Sequence, residues 1–347
     1  MEALYTHGIH VAESLQQALG GCEKVLLWLS WIGDPRASFF IYFPLTFFLN
    51  KKAGISVLWI AALTEWLNLT FKWLLFGERP FWWIHESGVY SEQQMPKLKQ
   101  FYSTCETGPG SPSGHAMITG ATWWVMMSKL SAFIYSHTRS SLAKNIPVVL
   151  YIVTLLGIGI SRIFILAHFP HQVLAGMVAG AVFGFLLGRY EPKNIKLIHY
   201  VASSIGLLLS TVCIYWVLFY LGVNASWTFP LAAKWCAKPE WIRPDTAPFS
   251  SLSRDTGALL GLGLGLSSPM YASTQGWKMT GKLKTVCIVL SLLIIEIMDQ
   301  VPLSKHSKIL FYALYYLKHA FVPVLVTAVI PWIVRSVFVI QQSQKRN

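Results

Sequence analysis

The chain has 347 residues, of which 54% are hydrophobic and only 12% carry a charge, and its formal net charge is +13. Soluble globular proteins carry about 25% charged residues, so this composition excludes an ordinary soluble protein and indicates several membrane spans. The basic residues are spread between apolar segments and form no continuous face, which argues against a nucleic-acid partner. The five cysteines match no metal-binding spacing, and they leave a disulfide between Cys105 and Cys236 open.

Nine apolar segments approach the length of about 20 residues that a membrane-spanning helix needs. They lie near residues 36–50, 55–76, 115–135, 146–166, 170–188, 197–222, 256–272, 285–303 and 309–339. The sequence therefore predicts an all-α polytopic membrane protein, with residues 1–347 forming one domain and no cleavable signal peptide. With the N-terminus outside, the inner segments hold basic residues such as Lys193, Lys345 and Arg346, which supports this orientation in part.

The first two predicted spans carry ionisable residues close to the outer surface. Asp34 stands just before the first span, where a carboxylate often caps a helix. Lys72 and Arg79 lie on one face at the end of the second span, and they either face a polar cavity or extend to the lipid headgroups. Glu65 and Asn68, deeper on the same face, are expected to tie helices together.

The segment "TGPGSPSGHAM", residues 107–117, is turn sequence that leads into the third predicted span. Ser113 is a suitable N-cap, which places Gly114 and His115 in the first helical turn. A helix N-terminus binds anions through its free backbone N–H groups, and the glycine lets an anion approach closely. His115 can exchange a proton near neutral pH. The alternative is an ordinary helix cap without chemistry.

The segment "SRIFILAHFPHQ", residues 161–172, joins the fourth and fifth predicted spans. Arg162 ends the fourth span, and Pro170 suits the first turn of the next helix, so that His168 stands at its N-terminus. Successive spans alternate in direction. Arg162 and His168 therefore fall on the same side of the membrane as Lys72, Arg79 and His115. Three cations and two histidines, without a cluster of carboxylates, predict a phosphoryl site that needs no Mg²⁺.

Three motifs occur in order along the chain: Lys72-x6-Arg79-Pro80, Pro112-Ser113-Gly114-His115 and Arg162-x5-His168. They resemble the signatures of the type-2 phosphatidic acid phosphatase superfamily. The longer stretches "EWLNLTFKWLLFGERPFWW", "CETGPGSPSGHAM" and "SRIFILAHFPHQ" resemble the glucose-6-phosphatase catalytic-subunit family. Two others, "HESGVYS" and "SLSRDTGALLGLGLGLSSPMY", point to its third, ubiquitously expressed branch. The resemblance extends along the whole chain, with the catalytic core at about residues 55–190.

The resemblance implies a phosphatase of the endoplasmic reticulum membrane that faces the lumen and hydrolyses glucose 6-phosphate without a metal or other cofactor. It implies His168 as the nucleophile that becomes a phosphohistidine, and His115 as the general acid and base. The remaining matched residues would bind the substrate phosphate: Lys72, Arg79, Ser113, Gly114 and Arg162. The implied partners are a small sugar phosphate, membrane lipid and, through function, a glucose 6-phosphate transporter.

One position departs from the superfamily pattern. The superfamily has an aspartate four residues after its nucleophilic histidine, where this chain has Gln172. Another group must then hold the second imidazole nitrogen of His168. The nearest outer carboxylates are those of Asp34, Glu78 and Glu106. Asp34 is the hypothesis for this role, and helix capping is its alternative.

Other interpretations stay open. The alternatives for function are a lipid or polyprenyl phosphatase of the same superfamily, a sugar-phosphate or anion transporter, and an inactive relative that keeps the pocket. Asn224 begins a glycosylation sequon that is usable only in a lumenal loop. The stretch "GALLGLGLGL", residues 257–266, is expected to let helices approach each other and not to bind phosphate.

Overall fold

The computed structural model describes residues 1–91, 93–190, 195–243, 246–303 and 307–344. Throughout these ranges the regular structure is helical, and an isolated bridge between Glu106 and Arg243 is the only β-type pairing, which confirms the predicted all-α class. Lys193, Lys345 and Arg346 lie outside the described residues. The α-helices are α1 (Glu2–Leu19), α2 (Glu23–Ile32), α3 (Pro35–Ala37), α4 (Phe43–Leu49), α5 (Lys51–Leu75), α6 (Pro80–Glu86), α7 (Gly114–Thr138), α8 (Ser141–Phe164), α9 (Pro170–Leu187), α10 (Leu197–Tyr220), α11 (Thr228–Trp235), α12 (Pro248–Leu266), α13 (Pro269–Thr274), α14 (Gly281–Gln300), α15 (Lys308–Val324) and α16 (Ile330–Gln344).

Five segments are long and apolar enough to cross a membrane, judged by length and composition over the described ranges. They are Lys51–Glu86, Ser141–Phe164, Pro170–Leu187, Leu197–Tyr220 and Ile309–Phe338. The other four predicted spans, near 36–50, 115–135, 256–272 and 285–303, fall on helical segments that are shorter or less apolar. The apolar helices indicate a membrane protein, and the count of nine spans stays a prediction.

Local sequence explains where the helices around the site begin and end. α5 ends at Leu75, and the next residue, Phe76, adopts a left-handed conformation with φ of 46°. α6 and α9 begin with Pro80 and Pro170, since proline lacks an N–H and the first turn of a helix does not need one. The short connections that lead into these two prolines carry Arg79 and His168.

α7 and α9 pack at backbone distance because three glycines of α9 face α7. A Cβ at Gly176 would lie 2.6 Å from the carbonyl oxygen of Ser113, and one at Gly184 would lie 2.9 Å from the backbone of α7. A Cβ at Gly180 would overlap the carbonyl of Met117. Small residues of this kind let membrane helices approach closely. The contact brings the N-terminus of α7 beside that of α9.

Residues predicted to connect helices do so in the structure. α12 packs against α15 through glycines of residues 257–266, as expected. Glu65 of α5 forms a buried ion pair with Arg254 of α12. Asn68 donates to the carbonyl of Pro112 at 3.2 Å, which links α5 to the segment just before α7.

The connection between α6 and α7 is fixed in its second half. Cys105 forms a disulfide with Cys236, 131 residues further along the chain, so the pairing that the sequence left open is present. The N–H of Arg243 donates to the carbonyl of Cys105 at 3.1 Å, and the N–H of Gly110 donates to the carbonyl of Gly77 at 2.6 Å. This connection is therefore attached both to the end of α5 and to the segment after α11.

Candidate active site

Two buried arginines approach each other from different parts of the chain. Arg79, just before α6, donates to three backbone carbonyls at 2.7–3.1 Å, those of Gly108, Pro109 and Ala167. Arg162, near the end of α8, donates from Nη1 to the hydroxyl of Ser30 at 2.8 Å. Both guanidinium groups contact one carboxylate, that of Glu106. Nη2 of Arg79 lies 2.9 Å from Oε2, and Nη2 of Arg162 contacts Oε1.

Both predicted catalytic histidines face the same carboxylate. Nδ1 of His115, in the first turn of α7, lies 3.6 Å from Oε1 of Glu106, and Nε2 of His168 lies 4.0 Å from Oε2. On its other side, Nδ1 of His168 forms a 2.7 Å hydrogen bond with the carbonyl of Gly110. A carbonyl oxygen can only accept, so Nδ1 carries the proton and Nε2 presents a lone pair. An imidazole nucleophile requires this arrangement.

Four buried polar atoms of the predicted site residues have no hydrogen-bond partner among the described residues. They are Ser113 Oγ, His115 Nε2, Arg162 Nε and His168 Nε2. Buried polar groups are normally satisfied, and an unsatisfied one requires an explanation such as a ligand. α7 begins at Gly114, and the first N–H groups of a helix also lack partners within the helix. The site therefore has unused hydrogen-bonding capacity for a polar ligand.

Burial and the two arginines determine the charge of the groups at the centre of the site. Burial lowers the pKa of His168 well below its ordinary value, and the nearby Arg79 lowers it further, so the imidazole is neutral near pH 7. Burial alone would raise the pKa of Glu106, but Arg162 and Arg79 outweigh burial and hold this pKa well below its ordinary value. Nε2 of His168 is therefore unprotonated, and the carboxylate of Glu106 is ionised.

The structure assigns the orientation of His168 to the carbonyl of Gly110 and not to Asp34, which corrects the hypothesis from the sequence. The carboxylate of Asp34 accepts from the backbone N–H of Arg36 at 2.9 Å and from the side chains of Arg36 and Arg243 at 3.1 Å. It caps the short helix α3, which was the alternative. Two arginines therefore bind Asp34, and a backbone carbonyl orients the imidazole of His168.

Gln172, at the position of the superfamily aspartate, supports the backbone around His168. Its Oε1 accepts from the N–H of Phe169 at 3.1 Å, and its Nε2 donates to the carbonyl of Glu78 at 2.7 Å. The amide thus connects the start of α9 to the segment before α6. It stabilises the chain on which His168 lies and does not contact the imidazole through these bonds.

Sequence reasoning named Glu106 among the nearest carboxylates but did not place it between the arginines. It also missed Ser30 and the carbonyl of Gly110. A signal for Glu106 was available, because it is the only acidic residue between Glu92 and Glu191. A single carboxylate in a region that supplies two histidines and an arginine of the site is a candidate for direct contact with them.

Two cavities adjoin the site. The first has a volume of about 50 Å³, and Lys72, Glu106 and Gly114 are among its lining residues. The second has a volume of about 200 Å³ and is lined by aromatic and polar side chains that include Trp31, Ser103 and Trp241. Four residues line both cavities: Asp34, Arg36, His115 and Arg243. His115 therefore lines both a compartment of mostly charged and polar side chains and one with aromatic walls.

Residues 53–196 match the PAP2 superfamily, a class of phosphatases with which the helical fold and the buried cations of the site agree. Human Glucose-6-phosphatase 3 is 48% identical to the chain, and bovine Glucose-6-phosphatase 3 is 47% identical, each over 334 residues that cover 96% of both proteins. Human Glucose-6-phosphatase 2 is 37% identical over 362 residues, 100% of each chain. No solved structure matches the chain. The chain belongs to the glucose-6-phosphatase family, and it is a phosphoric monoester hydrolase.

Proposed function

We propose that this protein hydrolyses glucose 6-phosphate to glucose and inorganic phosphate through a phosphohistidine at His168, without a metal ion. One observation carries the proposal: the two arginines and two histidines of the site surround a single anion, the carboxylate of Glu106. A phosphoryl group is also an anion, and guanidinium groups bind phosphate through charge-assisted hydrogen bonds. Arg79, Arg162 and Lys72 supply the positive charge that a metal ion supplies in other phosphatases.

The reaction consists of two transfers of the phosphoryl group. In the first, the lone pair on Nε2 of His168 attacks phosphorus, the bond from phosphorus to the sugar oxygen breaks, and that oxygen takes a proton from Nε2 of His115. In the second, His115 takes a proton from water, and the water oxygen attacks the phosphohistidine. Inorganic phosphate leaves, and His168 regains its lone pair.

Fixed donors stabilise the charge that develops on the phosphoryl oxygens. The hydroxyl of Ser113 and the backbone N–H of Gly114 add to the three cations, and one such donor is typically worth about 10²–10³ in kcat. A Cβ at Gly114 would lie only 3.1 Å from Oδ1 of Asn68, so this position leaves little space for a side chain. The glycine keeps the start of α7 accessible to the anion.

The second cavity, which His115 also lines, is the proposed place of the hexose. Its walls combine the rings of Trp31, Tyr102 and Trp241 with the polar side chain of Glu240. Aromatic rings that offer apolar faces, next to groups that can bond hydroxyls, suit a sugar. The names of the similar human and bovine proteins, Glucose-6-phosphatase 3, support a sugar phosphate over a lipid phosphate.

The proposal places the protein in the endoplasmic reticulum membrane with its site facing the lumen. Disulfides persist in oxidising compartments such as this lumen, and the disulfide of Cys105 is one residue from Glu106 in the site. A site on that side would receive a cytosolic sugar phosphate through a separate transporter, which is the proposed functional partner. Membrane lipid would surround the apolar helices.

The test is phosphate release from glucose 6-phosphate by the purified protein with excess EDTA, beside the variant His168→Ala. Release by the wild type alone is expected, together with an acid-labile radioactive phosphate label on the wild-type chain at short times. No release, or release that EDTA abolishes, would overturn the proposal. Faster release from a lipid phosphate in mixed micelles than from glucose 6-phosphate would favour the lipid phosphatase.

A further inference from the structure

The carboxylate of Glu106 lies where the phosphoryl group of a substrate would bind. Oε2 lies 2.9 Å from Nη2 of Arg79 and 4.0 Å from Nε2 of His168. Oε1 contacts Nη2 of Arg162 and lies 3.6 Å from Nδ1 of His115. Glu106 is 3% exposed, so this carboxylate is an integral part of the site and not a surface group close to it.

Two adjacent guanidinium groups that are buried require an anion, because an uncompensated buried charge is strongly destabilising. Glu106 provides this anion when the site is empty. A phosphoryl group brings its own negative charge and would use the same guanidinium donors. Two anions cannot both lie against Arg79 and Arg162, since like charges at contact distance oppose each other's ionisation. The carboxylate must therefore leave the arginines when a substrate binds.

A place for the displaced carboxylate exists beside His115. Nδ1 of His115 is 3.6 Å from Oε1 of Glu106, slightly beyond hydrogen-bond length, so a small movement brings the two atoms together. The backbone next to Glu106 is fixed by the disulfide of Cys105 and by the hydrogen bond from Arg243 to the carbonyl of Cys105, which confines the movement to the side chain. A carboxylate at Nδ1 stabilises the imidazolium and leaves Nε2 for the leaving oxygen.

We infer that Glu106 is a positioning residue that occupies the phosphate site when it is empty and moves to Nδ1 of His115 when a phosphoryl group binds. The inference rests on the function proposed above. It predicts opposite effects of the substitution Glu106→Gln on binding and on turnover. Phosphate binds more tightly because an internal competitor is removed, and the chemical step slows because His115 loses its carboxylate. A residue that only stabilised the fold would weaken both.

The experiment uses the full-length protein in detergent and compares the wild type with Glu106→Gln and Glu86→Gln. Glu86 is the control, a partly exposed carboxylate that pairs with Lys234. Calorimetry gives the Kd of inorganic phosphate, and steady-state kinetics with glucose 6-phosphate give KM and kcat. In Glu106→Gln, the Kd and KM are expected to fall at least about tenfold. This value corresponds to a wild-type protein in which Glu106 leaves the phosphate site free in about one tenth of the molecules. The kcat of Glu106→Gln is expected to fall about 10²-fold, and Glu86→Gln should keep the wild-type values.

An unchanged or weaker Kd for phosphate in Glu106→Gln would overturn the inference, as would a rise in KM together with the loss of kcat. If this variant does not fold, Glu106→Asp gives the same test. Its shorter side chain retracts from the arginines, so this variant should also bind phosphate more tightly than the wild type. Wild-type turnover is measured in the same series. Its absence would overturn the proposed function, whereas wild-type turnover with an unchanged Kd in the variants would overturn only this inference.

Discussion

Arg79 and Arg162 are both buried cations of the site, but they differ in their other contacts. Arg79 donates to three backbone carbonyls, so it fixes the connections around the site as well as contacting the anion. Arg162 donates to the hydroxyl of Ser30 and keeps an Nε–H without a partner among the described residues. The first arginine therefore serves the structure as well as the proposed chemistry, and the second serves mainly the chemistry.

Arg79→Lys is expected to reduce both thermal stability and activity, whereas Arg162→Lys should reduce mainly activity. A lysine offers a single ammonium in place of a planar fork, so the carbonyls around Arg79 lose donors, at about 1–3 kcal/mol for each buried acceptor left unsatisfied. In both variants kcat/KM should fall at least about 10²-fold. Thermal midpoints and phosphate-release kinetics check this prediction, and equal midpoints in the two variants would contradict it.

The buried His168 makes stability depend on pH. Because burial lowers its pKa in the folded protein, the unfolded chain binds a proton below pH of about 6.5 that the folded protein does not bind. The contribution of His168 to the free energy of unfolding is therefore complete above that pH. It falls as the pH decreases, by up to about 1.4 kcal/mol per pH unit. Unfolding midpoints measured between about pH 7.5 and 5.5 should vary less in His168→Asn than in the wild type. His137→Asn, at an exposed position, is the control, and a wild-type slope in His168→Asn would refute the linkage.

At the scale of elements, the contact between α7 and α9 determines how far apart the two proposed catalytic histidines lie. His115 is in the first turn of α7, and His168 is two residues before α9. The glycines of α9 leave backbone atoms of α7 as the opposing surface, so no flexible side chain separates the two helices there. The spacing of the site is therefore a property of the backbone.

Gly180→Ala is expected to lower both the thermal midpoint and the activity. The new Cβ would overlap the carbonyl of Met117, and backbone cannot give way as the end of a side chain can, so a cost at or above the usual 1–3 kcal/mol of overpacking is expected. Gly206→Ala in α10 is the matched control, because nothing lies within 4 Å of its Cβ. Alanine there should leave activity unchanged and raise stability by up to about 1 kcal/mol. A wild-type midpoint and activity in Gly180→Ala would show that the helices are not in backbone contact.

At the scale of the whole molecule, one disulfide joins the connection between α6 and α7 to the segment after α11. Cys236→Ser should lower the stability by roughly 4–5 kcal/mol at most, the entropy value for closing a loop of more than 100 residues. Activity should fall as well, because Cys105 precedes Glu106. The free and exposed Cys22 provides the control, Cys22→Ser, which should behave as the wild type. Melting curves and kinetics in the absence of reductant check both variants, and a wild-type midpoint in Cys236→Ser would contradict the prediction.

Much of the site could be predicted from the sequence because its parts are encoded by residue type and by the alternation of spans. An arginine before Pro80, a histidine in a first helical turn and another before Pro170 are local patterns, and helices that alternate in direction bring such patterns to one side. The structure places these residues around the same carboxylate. The helical class followed from composition, and the close approach of another helix to residues 257–266 followed from their small residues.

The remaining features depend on how the connections fold, which residue types do not determine. A backbone carbonyl orients His168, and every residue has one, so nothing in the sequence distinguishes Gly110 for this role. Asp34 was a reasonable candidate by position, but Arg36 and Arg243 engage it, and Arg243 comes from a distant part of the chain. Glu106 enters the site because a disulfide and a bridge to that same distant part fix its loop.

The backbone contact of α9 with α7 also has a consequence for how relatives of this protein can diverge. Where a glycine lies against backbone peptide groups, any larger residue would push the two helices apart. Relatives should therefore keep the same distance between His115 and His168. The walls of the second cavity come from α2 and from connections around Tyr102 and Trp241, where side chains are replaced with less effect on the helices. Point mutations in those walls can therefore change which leaving group, here the proposed sugar, the protein accepts. A change of the transferred phosphoryl group would require a different arrangement of helices.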